Sequence, residues 1–270
     1  MVTIHDIWLD RFPVYSKKLF GQGLSSWKTR RGAARAEKII AVSEFSKQEI
    51  HEVFGIPLEK IVVIYHGCSS DMYPDVHEDT WHEVRARLGL PNRPYIVFVG
   101  GAEPRKNHRV LFEAFAQSQK LLQAFSLIAI GDESVRGVSL RRTAQELGLA
   151  EMVHCPGFLS TSDLRVLYSH AEAFVFPSLY EGFGIPLLEA MACGTPIITG
   201  QDTALPEVAG DAALYVNVQD AEQLGVELEL LLNDSSRQEQ MRKNGFERVK
   251  QFTWERASRD TLAVYQEACD

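Results

Sequence analysis

The chain has 270 residues, of which 45% are hydrophobic and 24% are charged, as in an ordinary soluble globular protein. These proportions exclude a disordered chain, a collagen and a small disulfide-stapled domain. The 28 Lys and Arg residues against 36 Asp and Glu give a formal net charge of −8, which argues against a surface that broadly coats nucleic acid or an anionic membrane. A local basic pocket for a small phosphate ligand remains compatible with this balance.

The cysteine pattern and the lack of long apolar runs favour a cytoplasmic protein. No pair of cysteines has the spacing of a zinc site or a redox motif, so we expect reduced thiols. No stretch approaches the ~18 uninterrupted apolar residues that a membrane span needs. The N-terminal sequence MVTIHDIWLDRF lacks the basic start and apolar run of a signal peptide. The four cysteines are Cys68, Cys155, Cys193 and Cys269.

Short apolar runs alternate with longer amphipathic stretches along the whole chain. The runs lack the in-and-out alternation of half-exposed strands, and they predict parallel strands that are covered on both faces. Their repeated strand–helix order indicates an α/β fold with a doubly wound parallel sheet. The predicted strands cover residues 2–4, 39–42, 61–64, 95–99, 127–130, 152–154, 173–176, 196–199 and 213–216.

A change of composition at residues 66–94 predicts a linker between two domains. The stretch HGCSSDMYPD carries small, turn-forming residues, and LPNRP has two prolines directly before a strong strand. We therefore expect a partial N-terminal domain at residues 1–70 and a C-terminal domain at residues 71–253. The last segment, 254–270, predicts a helix that could pack back on the N-terminal part. Its apolar anchors would be Leu262, Val264 and Tyr265.

The segment FVGGAEPRKNHRVLFEAF, residues 98–115, joins a predicted strand to a predicted helix. Its two glycines would let the backbone approach a ligand closely, and the start of the helix favours an anion. Two neighbouring cations would add charge-assisted hydrogen bonds of ~1.5–3 kcal/mol each to a phosphate. The segment therefore predicts a diphosphate site, although the cations could also be a solvated pair in a turn. The residues concerned are Gly100, Gly101, Arg105, Lys106 and the candidate N-cap Asn107.

A second segment, PSLYEGFGIPLLEAMACGTPII at residues 177–198, predicts a loop followed by a buried helix. The helix is apolar nearly all round except for Glu189. A buried carboxylate is costly unless it is paired or hydrogen-bonded, and the hydroxyls of a ribose are suitable donors. Because Glu181 precedes the helix, both carboxylates can flank one ligand. The alternatives are an ion pair of Glu189 with Arg or Lys, and a plain tight turn at Gly182 and Gly184.

Together these segments resemble the retaining glycosyltransferases of family 4, which have the GT-B fold. The resemblance covers the chain in order, through AVSEFSKQEI, VGGAEPRKN, VHCPGFLSTSDL, EGFGIPLLEAMACGTPII and LPEVAGDAALYV. The fourth of these carries the E-x7-E motif of the family. The resemblance implies a doubly wound, Rossmann-like C-terminal domain that binds the donor, and an incomplete Rossmann-like N-terminal domain on the acceptor side.

The resemblance also implies a reaction. It is the transfer of a sugar, with retention, from a UDP- or GDP-linked donor to a saccharide or lipid-linked acceptor in polysaccharide or glycoconjugate biosynthesis. The family needs no metal and no cofactor, and the leaving phosphate helps to remove the acceptor proton. The PRKN variant of the phosphate motif is similar to that of bacterial mannosyltransferases. The resemblance leaves no role for nucleic acid, and a membrane would be contacted peripherally through the acceptor, from its inner face.

Individual residues take roles from the same resemblance. Arg105 and Lys106 would hold the donor diphosphate beside Gly100 and Gly101, and Glu189 would bind the ribose. His5 and Glu181 would lie at the transferred sugar and are the catalytic candidates. The loop around that sugar would comprise Glu181, Gly182, Phe183, Gly184 and Ile185, and the turn that meets the base would comprise Gly157, Phe158 and Leu159.

Plainer interpretations stay open for several of these residues. His5 could be a strand-end histidine with a local backbone bond, and Phe158 could be a core aromatic beside a turn at Gly157. We expect Ser43 to cap a helix and Glu207 to support a loop. The other histidines are interpreted as ordinary surface or core residues.

A complete family member would carry roughly a hundred more residues, about the lower size of a domain, before the strand at residues 2–4. We therefore expect an intact donor half and weak or absent transfer by this chain alone. Two alternatives remain. One is a nucleotide-sugar-binding module that pairs with a separate N-terminal partner or with itself. The other is a different GT-B enzyme, such as an epimerase or a sugar phosphorylase.

Overall fold

Two parallel sheets with helices on their faces make up the computed structural model, which describes residues 1–12 and 22–268. The strands are β1 (Val2–Ile4), β2 (Ile39–Ala41), β3 (Ile61–Val63), β4 (Tyr95–Val99), β5 (Ser126–Ile130), β6 (Ser134–Val135), β7 (Val138–Ser139), β8 (Val153–Gly157), β9 (Ala173–Phe176), β10 (Ile197–Gly200) and β11 (Ala213–Val216). The helices are α1 (Trp8–Arg11), α2 (Gln22–Arg35), α3 (Glu44–Phe54), α4 (Glu78–Leu88), α5 (His108–Gln117), α6 (Gln119–Ala124), α7 (Leu140–Glu146), α8 (Thr161–Ser169), α9 (Ile185–Cys193), α10 (Leu205–Ala209), α11 (Ala221–Leu232), α12 (Ser235–Val249) and α13 (Trp254–Glu267).

The strand order confirms the predicted α/β class. The smaller sheet has the order β1-β2-β3, and the larger sheet has the order β11-β10-β9-β4-β5-β8, with parallel pairing throughout both. Every predicted strand forms, with bounds that move by a few residues at most. The sequence analysis missed the short antiparallel pair β6–β7. Strands of two residues carry too little periodicity to be recognised, and here the turn residues Arg136 and Gly137, both with positive φ, fix the pair.

The core of the larger sheet lies on both of its faces, as the continuous apolar runs predict. The side chains of β5 and β9 are buried without alternation. One face packs the cluster that includes Phe174, Phe176 and Leu188, and the other packs the cluster that includes Phe98, Phe112 and Phe115. Because both faces of the sheet are covered, a ligand can reach it at the carboxyl ends of the strands.

The region predicted as a linker contains a helix. Helix α4 lies within residues 66–94, and its Trp81 ring lies 5.2 Å from the ring of Tyr95 and 5.3 Å from that of His170. The turn-forming residues therefore mark the ends of α4 and do not extend through the whole segment. The helix covers the start of β4 and so belongs to the packing of the larger sheet.

Helix α13 packs on the smaller sheet through one of its three predicted anchors, Val264, and through Ala257, which was not predicted. Ala257 and Val264 are buried with Ile40 and Ile64. Leu262 and Tyr265 are 58% and 53% exposed, so their assignment as anchors was wrong. Residues 257 and 264 share one helical face, whereas positions 262 and 265 are turned away from it at about 100° per residue. The apolar character of a residue alone did not identify the buried face.

Three cysteines within the described residues are free thiols, and Cys269 lies outside these residues. Burial raises the pKa of the Cys68 and Cys155 thiols to about 11 and that of Cys193 to about 12. Among the described residues, no helix is long and apolar enough to cross a membrane.

A buried histidine makes the stability of the fold depend on pH. His108 is 3% exposed, and burial, followed by the charge of Arg109, lowers the pKa of its imidazole to about 4. Below pH 6.5 the unfolded chain binds a proton at this residue that the folded chain binds only near pH 4. The free energy of unfolding should therefore fall as the pH drops through this window, by roughly 3 kcal/mol in full. Urea unfolding at pH 7 and pH 4.5 should show this loss in the wild type and a smaller one in His108→Gln; equal losses would contradict it.

Candidate active site

A buried cluster of charges lies where β4 and β9 end. Lys106 Nζ donates to Glu181 Oε1 at 2.6 Å, and Arg105 Nη1 donates to Glu181 Oε2 at 3.1 Å. Glu181 is 5% exposed, and the side chains of Arg105 and Lys106 are 22% and 13% exposed. The alternative of a solvated Arg–Lys pair is therefore wrong. The two cations converge on one carboxylate at the carboxyl edge of the sheet.

The glycines after β4 allow this convergence. A Cβ on Gly100 would lie 2.7 Å from Lys106 Cγ, and a Cβ on Gly101, at φ 59°, would lie 2.5 Å from the backbone nitrogen of Asp132. Side chains at these positions would displace the turn that carries the cations. Asn107 is the N-cap residue of α5, as predicted, but its side chain makes no capping hydrogen bond. Its left-handed backbone turns the side chain away, and Nδ2 donates to the carbonyl oxygen of Val218 at 2.7 Å.

A cavity of about 330 Å³ lies beside the cluster. Its lining includes the cations Arg105 and Lys106 with Gly100, the carboxylates Glu103 and Asp132, and the apolar side chains Phe158 and Leu159. Phe158 is 77% exposed, so the alternative of a core aromatic is wrong. Gly157 ends β8 with φ 82° and so brings the exposed ring to the cavity. The cavity therefore combines charged side chains with an exposed flat aromatic ring, and its volume is on the scale of a small-molecule site.

Glu189 lies apart from this cluster. The Tyr168 hydroxyl donates to its Oε2 at 3.4 Å, and burial raises the pKa of the Glu189 carboxyl. It forms no ion pair with a Lys or Arg of the described chain, so the ion-paired alternative is not observed, and it is not among the residues that line the cavity. The geometry brings Glu181, but not Glu189, to the two cations. Its contact with a ribose stays a prediction.

His5 and its neighbour Asp6 reach the same loop from the smaller sheet. His5 follows β1, and its Nδ1 lies 3.2 Å from His66 Nε2, so it does not make the local backbone bond of the plainer interpretation. Asp6 Oδ2 lies 3.9 Å from Arg105 Nη1. A Cβ on Gly182 would lie 2.0 Å from the carbonyl oxygen of His5. This close approach, and not a left-handed turn, requires glycine at position 182.

The remaining loop residues position the start of α9. Gly184 is the N-cap residue of α9 and has φ 110°, a backbone conformation that favours glycine. Phe183 is buried, and Ile185 is partly buried against the same core cluster. Phe183 and Ile185 therefore anchor the loop to the hydrophobic core. Glu181 contacts the two cations, and Gly182 contacts His5.

Helix α3 holds the loop from the other side. Ser43 caps α3 as predicted, since its Oγ accepts from the Ser46 backbone nitrogen at 2.9 Å. The hydroxyls of Ser43 and Ser46 also donate to the carbonyl oxygen of Gly182, at 2.6 and 2.9 Å. Glu207 was expected only to support its own loop. Its carboxylate also accepts hydrogen bonds from the backbone nitrogens of Glu44 and Phe45, at 2.6 and 3.1 Å, at the start of α3.

Asp6, Ser46 and His66 were not predicted to contact the site, and Glu207 was predicted only to support a loop. Asp6 and His66 each follow a parallel strand of the smaller sheet, and the rule that ligands bind beyond the carboxyl ends of strands could have found both. Ser46 and Glu207 act through contacts between distant segments, for which the local pattern holds no signal. No group of three or more His, Cys, Asp or Glu within residues 1–12 and 22–268 is arranged to hold a metal ion.

Comparison with known proteins gives a consistent assignment. The chain is 32% identical over 267 residues to O-antigen chain mannosyltransferase B of Escherichia coli, covering 98% of this chain and 70% of that protein. The match covers a smaller share of the length of two other relatives. These are the serotype-specific mannosyltransferase WbdA of Escherichia coli, of which it covers 27%, and O-antigen chain mannosyltransferase RfbU of Salmonella typhimurium, of which it covers 57%.

Solved structures share the fold. Sucrose-phosphate synthase from Thermosynechococcus elongatus has a TM-score of 0.80 at 27% identity, over 98% of this chain and 67% of that one. Anabaena HepE, solved in complex with UDP and glucose, has a TM-score of 0.81 at 21% identity, over 98% of this chain and 71% of that one. The family model for glycosyl transferases group 1 matches residues 82–248, and that for glycosyltransferase family 4 matches residues 1–71. The resemblance seen in the sequence is thereby confirmed, and the chain belongs to the group 1 glycosyl transferases, enzymes of the GT-B fold.

Proposed function

We propose that the protein transfers a hexose, with mannose as the leading candidate, from a nucleoside-diphosphate sugar to a saccharide or lipid-linked acceptor in polysaccharide biosynthesis. The observation that carries this proposal is the pair of partly buried cations, Arg105 and Lys106, which line a cavity together with an exposed aromatic ring, Phe158. The mannosyltransferase relatives support the class of sugar. The base, the acceptor and the retention of configuration belong to the proposal.

The cations would act on the leaving group. When the bond between the sugar C1 and the diphosphate breaks, negative charge grows on the phosphate oxygens, and fixed cations in a partly buried site stabilise it. Glu181 holds both cations in place before the donor binds, through hydrogen bonds of 2.6 and 3.1 Å. The diphosphate would then share these cations with Glu181, whose carboxylate would face the transferred sugar.

The apolar side chains of the cavity would receive the base. Phe158 offers an exposed ring for stacking, and Leu159 lies beside it. Glu189 would accept hydrogen bonds from the ribose hydroxyls, which suits a carboxylate whose present hydrogen bond, from Tyr168, is long at 3.4 Å. The structures of HepE hold UDP and UDP-glucose, which supports a nucleotide sugar as the ligand of this fold.

We propose a retaining, metal-independent reaction. The acceptor hydroxyl would attack C1 on the face that the diphosphate leaves, so that the new C1–O bond forms there as the old one breaks. The acceptor proton would pass to an oxygen of the leaving phosphate. His5 would lie at the sugar. Analysis of the anomer produced, in buffer with EDTA, tests both features: an inverted product or a loss of turnover with EDTA would contradict them.

The open edge of the smaller sheet favours one alternative. β1 pairs with β2 on one side, and no described strand pairs with its other side. An unpaired edge is a template for another chain, which supports a binding module completed by a separate partner or by self-association. Sedimentation at micromolar concentration, together with a transfer assay, separates the two: a monomer with robust turnover would exclude this alternative.

A basic helix supports peripheral contact with an anionic membrane. Residues 11–36 carry seven Lys and Arg and no Asp or Glu, in a chain of net charge −8. On α2, Trp27 is 52% exposed with the Arg31 guanidinium 5.0 Å from its ring, and Lys28 and Arg35 are exposed. Exposed basic residues with a tryptophan are typical of helices that lie on lipid headgroups.

Sedimentation with vesicles that contain phosphatidylglycerol tests this contact. The triple variant Lys28→Gln/Arg31→Gln/Arg35→Gln should bind at least tenfold more weakly than the wild type, because each charge near an anionic surface contributes about 1 kcal/mol. The matched control removes three exposed charges at α12 (Arg237→Gln/Lys243→Gln/Lys250→Gln). Equal binding by both triple variants, or equal binding of the wild type to neutral vesicles, would refute the contact.

Thermal unfolding with GDP, UDP and ADP tests the proposed donor site. A ligand that binds the folded state raises its stability by RT ln(1 + [L]/Kd), so the nucleotide with the matching base should raise the melting temperature most. Arg105→Ala should remove the shift through loss of a phosphate contact, and Glu189→Ala should remove it through loss of the ribose contact. If no nucleoside diphosphate shifts the melting temperature of the wild type, the proposed function is wrong.

A further inference from the structure

A second histidine contacts the catalytic candidate His5. The Nε2 atom of His66 lies 3.2 Å from Nδ1 of His5, and the two rings are nearly parallel, at 15°, with centroids 5.2 Å apart. His66 follows β3 and His5 follows β1, so the pair bridges the carboxyl ends of the two edge strands of the smaller sheet. At this distance one ring nitrogen donates a hydrogen bond and the other accepts it.

The surroundings of His66 fix its ring. Phe183, from the loop before α9, meets it edge-on at 5.2 Å and 88°, and Trp254, the first residue of α13, lies 5.5 Å away. A Cβ on the next residue, Gly67, would lie 2.2 Å from the backbone nitrogen of Trp254, so the chain at this point has no room to shift. His66 is therefore held by elements from two distant parts of the chain.

His5, in contrast, has an exposed ring that would rotate freely without a partner. Its backbone is fixed by the close approach of Gly182 to its carbonyl oxygen, and the bond to His66 is the hydrogen bond that fixes its ring. Because that bond occupies Nδ1, Nε2 is the ring nitrogen that remains to meet a ligand.

We infer that His66 is a positioning residue, which orients the His5 ring and selects its tautomer so that Nε2 faces the donor sugar. The inference rests on the proposed function for the identity of that ligand, but the contact itself exists in the free protein. A fixed tautomer gives His5 Nε2 one defined role, as donor or acceptor, toward a sugar hydroxyl.

The protonation of His66 agrees with this role. Burial, followed by the charge of His5, lowers the pKa of the His66 imidazole to about 4, so it is neutral at neutral pH. A neutral imidazole has one N–H and one free lone pair, and it can complete a hydrogen bond with His5 without placing a second charge there. The charged groups that line the small cavity beside His66 are Arg256 and Asp260 of α13.

Long-range ¹H–¹⁵N spectra of histidine-labelled protein test the inference at pH 7. The wild type should show His5 in a single tautomer, assigned by its loss in His5→Asn. His66→Phe keeps the ring contacts with Phe183 and Trp254 but removes the nitrogen, so His5 should then show the averaged shifts of two tautomers. His66→Gln, which retains an amide donor and acceptor, should restore most of the wild-type signal. As a control, His170→Phe replaces another packed histidine, one that stacks on Trp81, and should leave His5 unchanged.

Binding measurements separate the inference from the proposed function. His66→Phe should keep the affinity for the free nucleoside diphosphate within threefold of wild type, while its affinity for the nucleotide sugar and the response of His5 to that sugar decrease. Identical His5 spectra in the wild type and in His66→Phe would overturn the positioning role even if nucleotide binding is intact. If the wild type binds no nucleotide, the proposed function fails, but the tautomer of His5 in the free protein still decides whether His66 orients it.

Discussion

Lys106→Ala is expected to weaken the binding of a nucleoside diphosphate by about tenfold to a hundredfold. Lys106 Nζ is held 2.6 Å from Glu181 and 4.9 Å from the centre of the Phe176 ring, with its side chain 13% exposed, so its charge is fixed and poorly screened. A charge-assisted hydrogen bond to phosphate contributes about 1.5–3 kcal/mol, and ~1.4 kcal/mol corresponds to a factor of ten. In the variant, Arg105 is the remaining partner of the Glu181 carboxylate in this cluster. The ion pair between Arg105 and Glu181 then competes with the bond from Arg105 to the phosphate. Titration calorimetry gives the affinity directly.

A matched substitution distinguishes the site from general electrostatics. Lys120→Ala removes the same charge from an 80% exposed side chain that pairs with Glu229 on the protein surface. It should leave the affinity within a factor of two. A similar loss in both variants would mean that the nucleotide responds to overall charge, and that Lys106 is not its phosphate ligand.

Gly182→Ala is expected to disrupt the contact between the two halves of the site. The new Cβ would lie 2.0 Å from the backbone oxygen of His5 and 3.0 Å from Asp6 Cβ, so the loop or β1 must move. The movement would also break the hydrogen bonds from Ser43 and Ser46 to the Gly182 carbonyl oxygen. We expect the free energy of unfolding to fall by about 2–3 kcal/mol and the melting temperature by about 5–10 °C.

Gly32→Ala serves as the control for this substitution. Gly32 lies within α2, and a Cβ built there meets no atom within 4 Å. Alanine is the better helix former, so this variant should be as stable as the wild type or more stable. If Gly182→Ala has the same melting temperature as Gly32→Ala, then the close approach of the loop to His5 does not exist in solution.

The sequence predicted the fold well because the signal for parallel strands is local. Runs such as 95–99 and 173–176 are apolar without alternation, and they became fully packed strands at the predicted positions. The same local signal does not predict which face of a helix is buried, as α13 shows. Its apolar residues Leu262 and Tyr265 are exposed, and the buried face uses Ala257, because the choice of face depends on what the helix meets across the chain.

The candidate site was predictable in part for the same reason. Arg105, Lys106 and Glu181 follow strands of one sheet, so the topology brings them together once the strands are known. The bond between His5 and His66 was not predictable, because it depends on the register of β1, β2 and β3 and on the packing of α13 behind it. The N-cap position of Asn107 was predictable, but the absence of its capping hydrogen bond was not, because that bond depends on a backbone angle that the residue type does not fix.

A crystal structure with the nucleoside diphosphate selected by thermal unfolding tests the central claim most directly. We expect the β-phosphate within about 3 Å of both Arg105 and Lys106, the base against Phe158, and the ribose hydroxyls at Glu189. A nucleotide bound elsewhere, or phosphates that leave both cations bound only to Glu181, would contradict it.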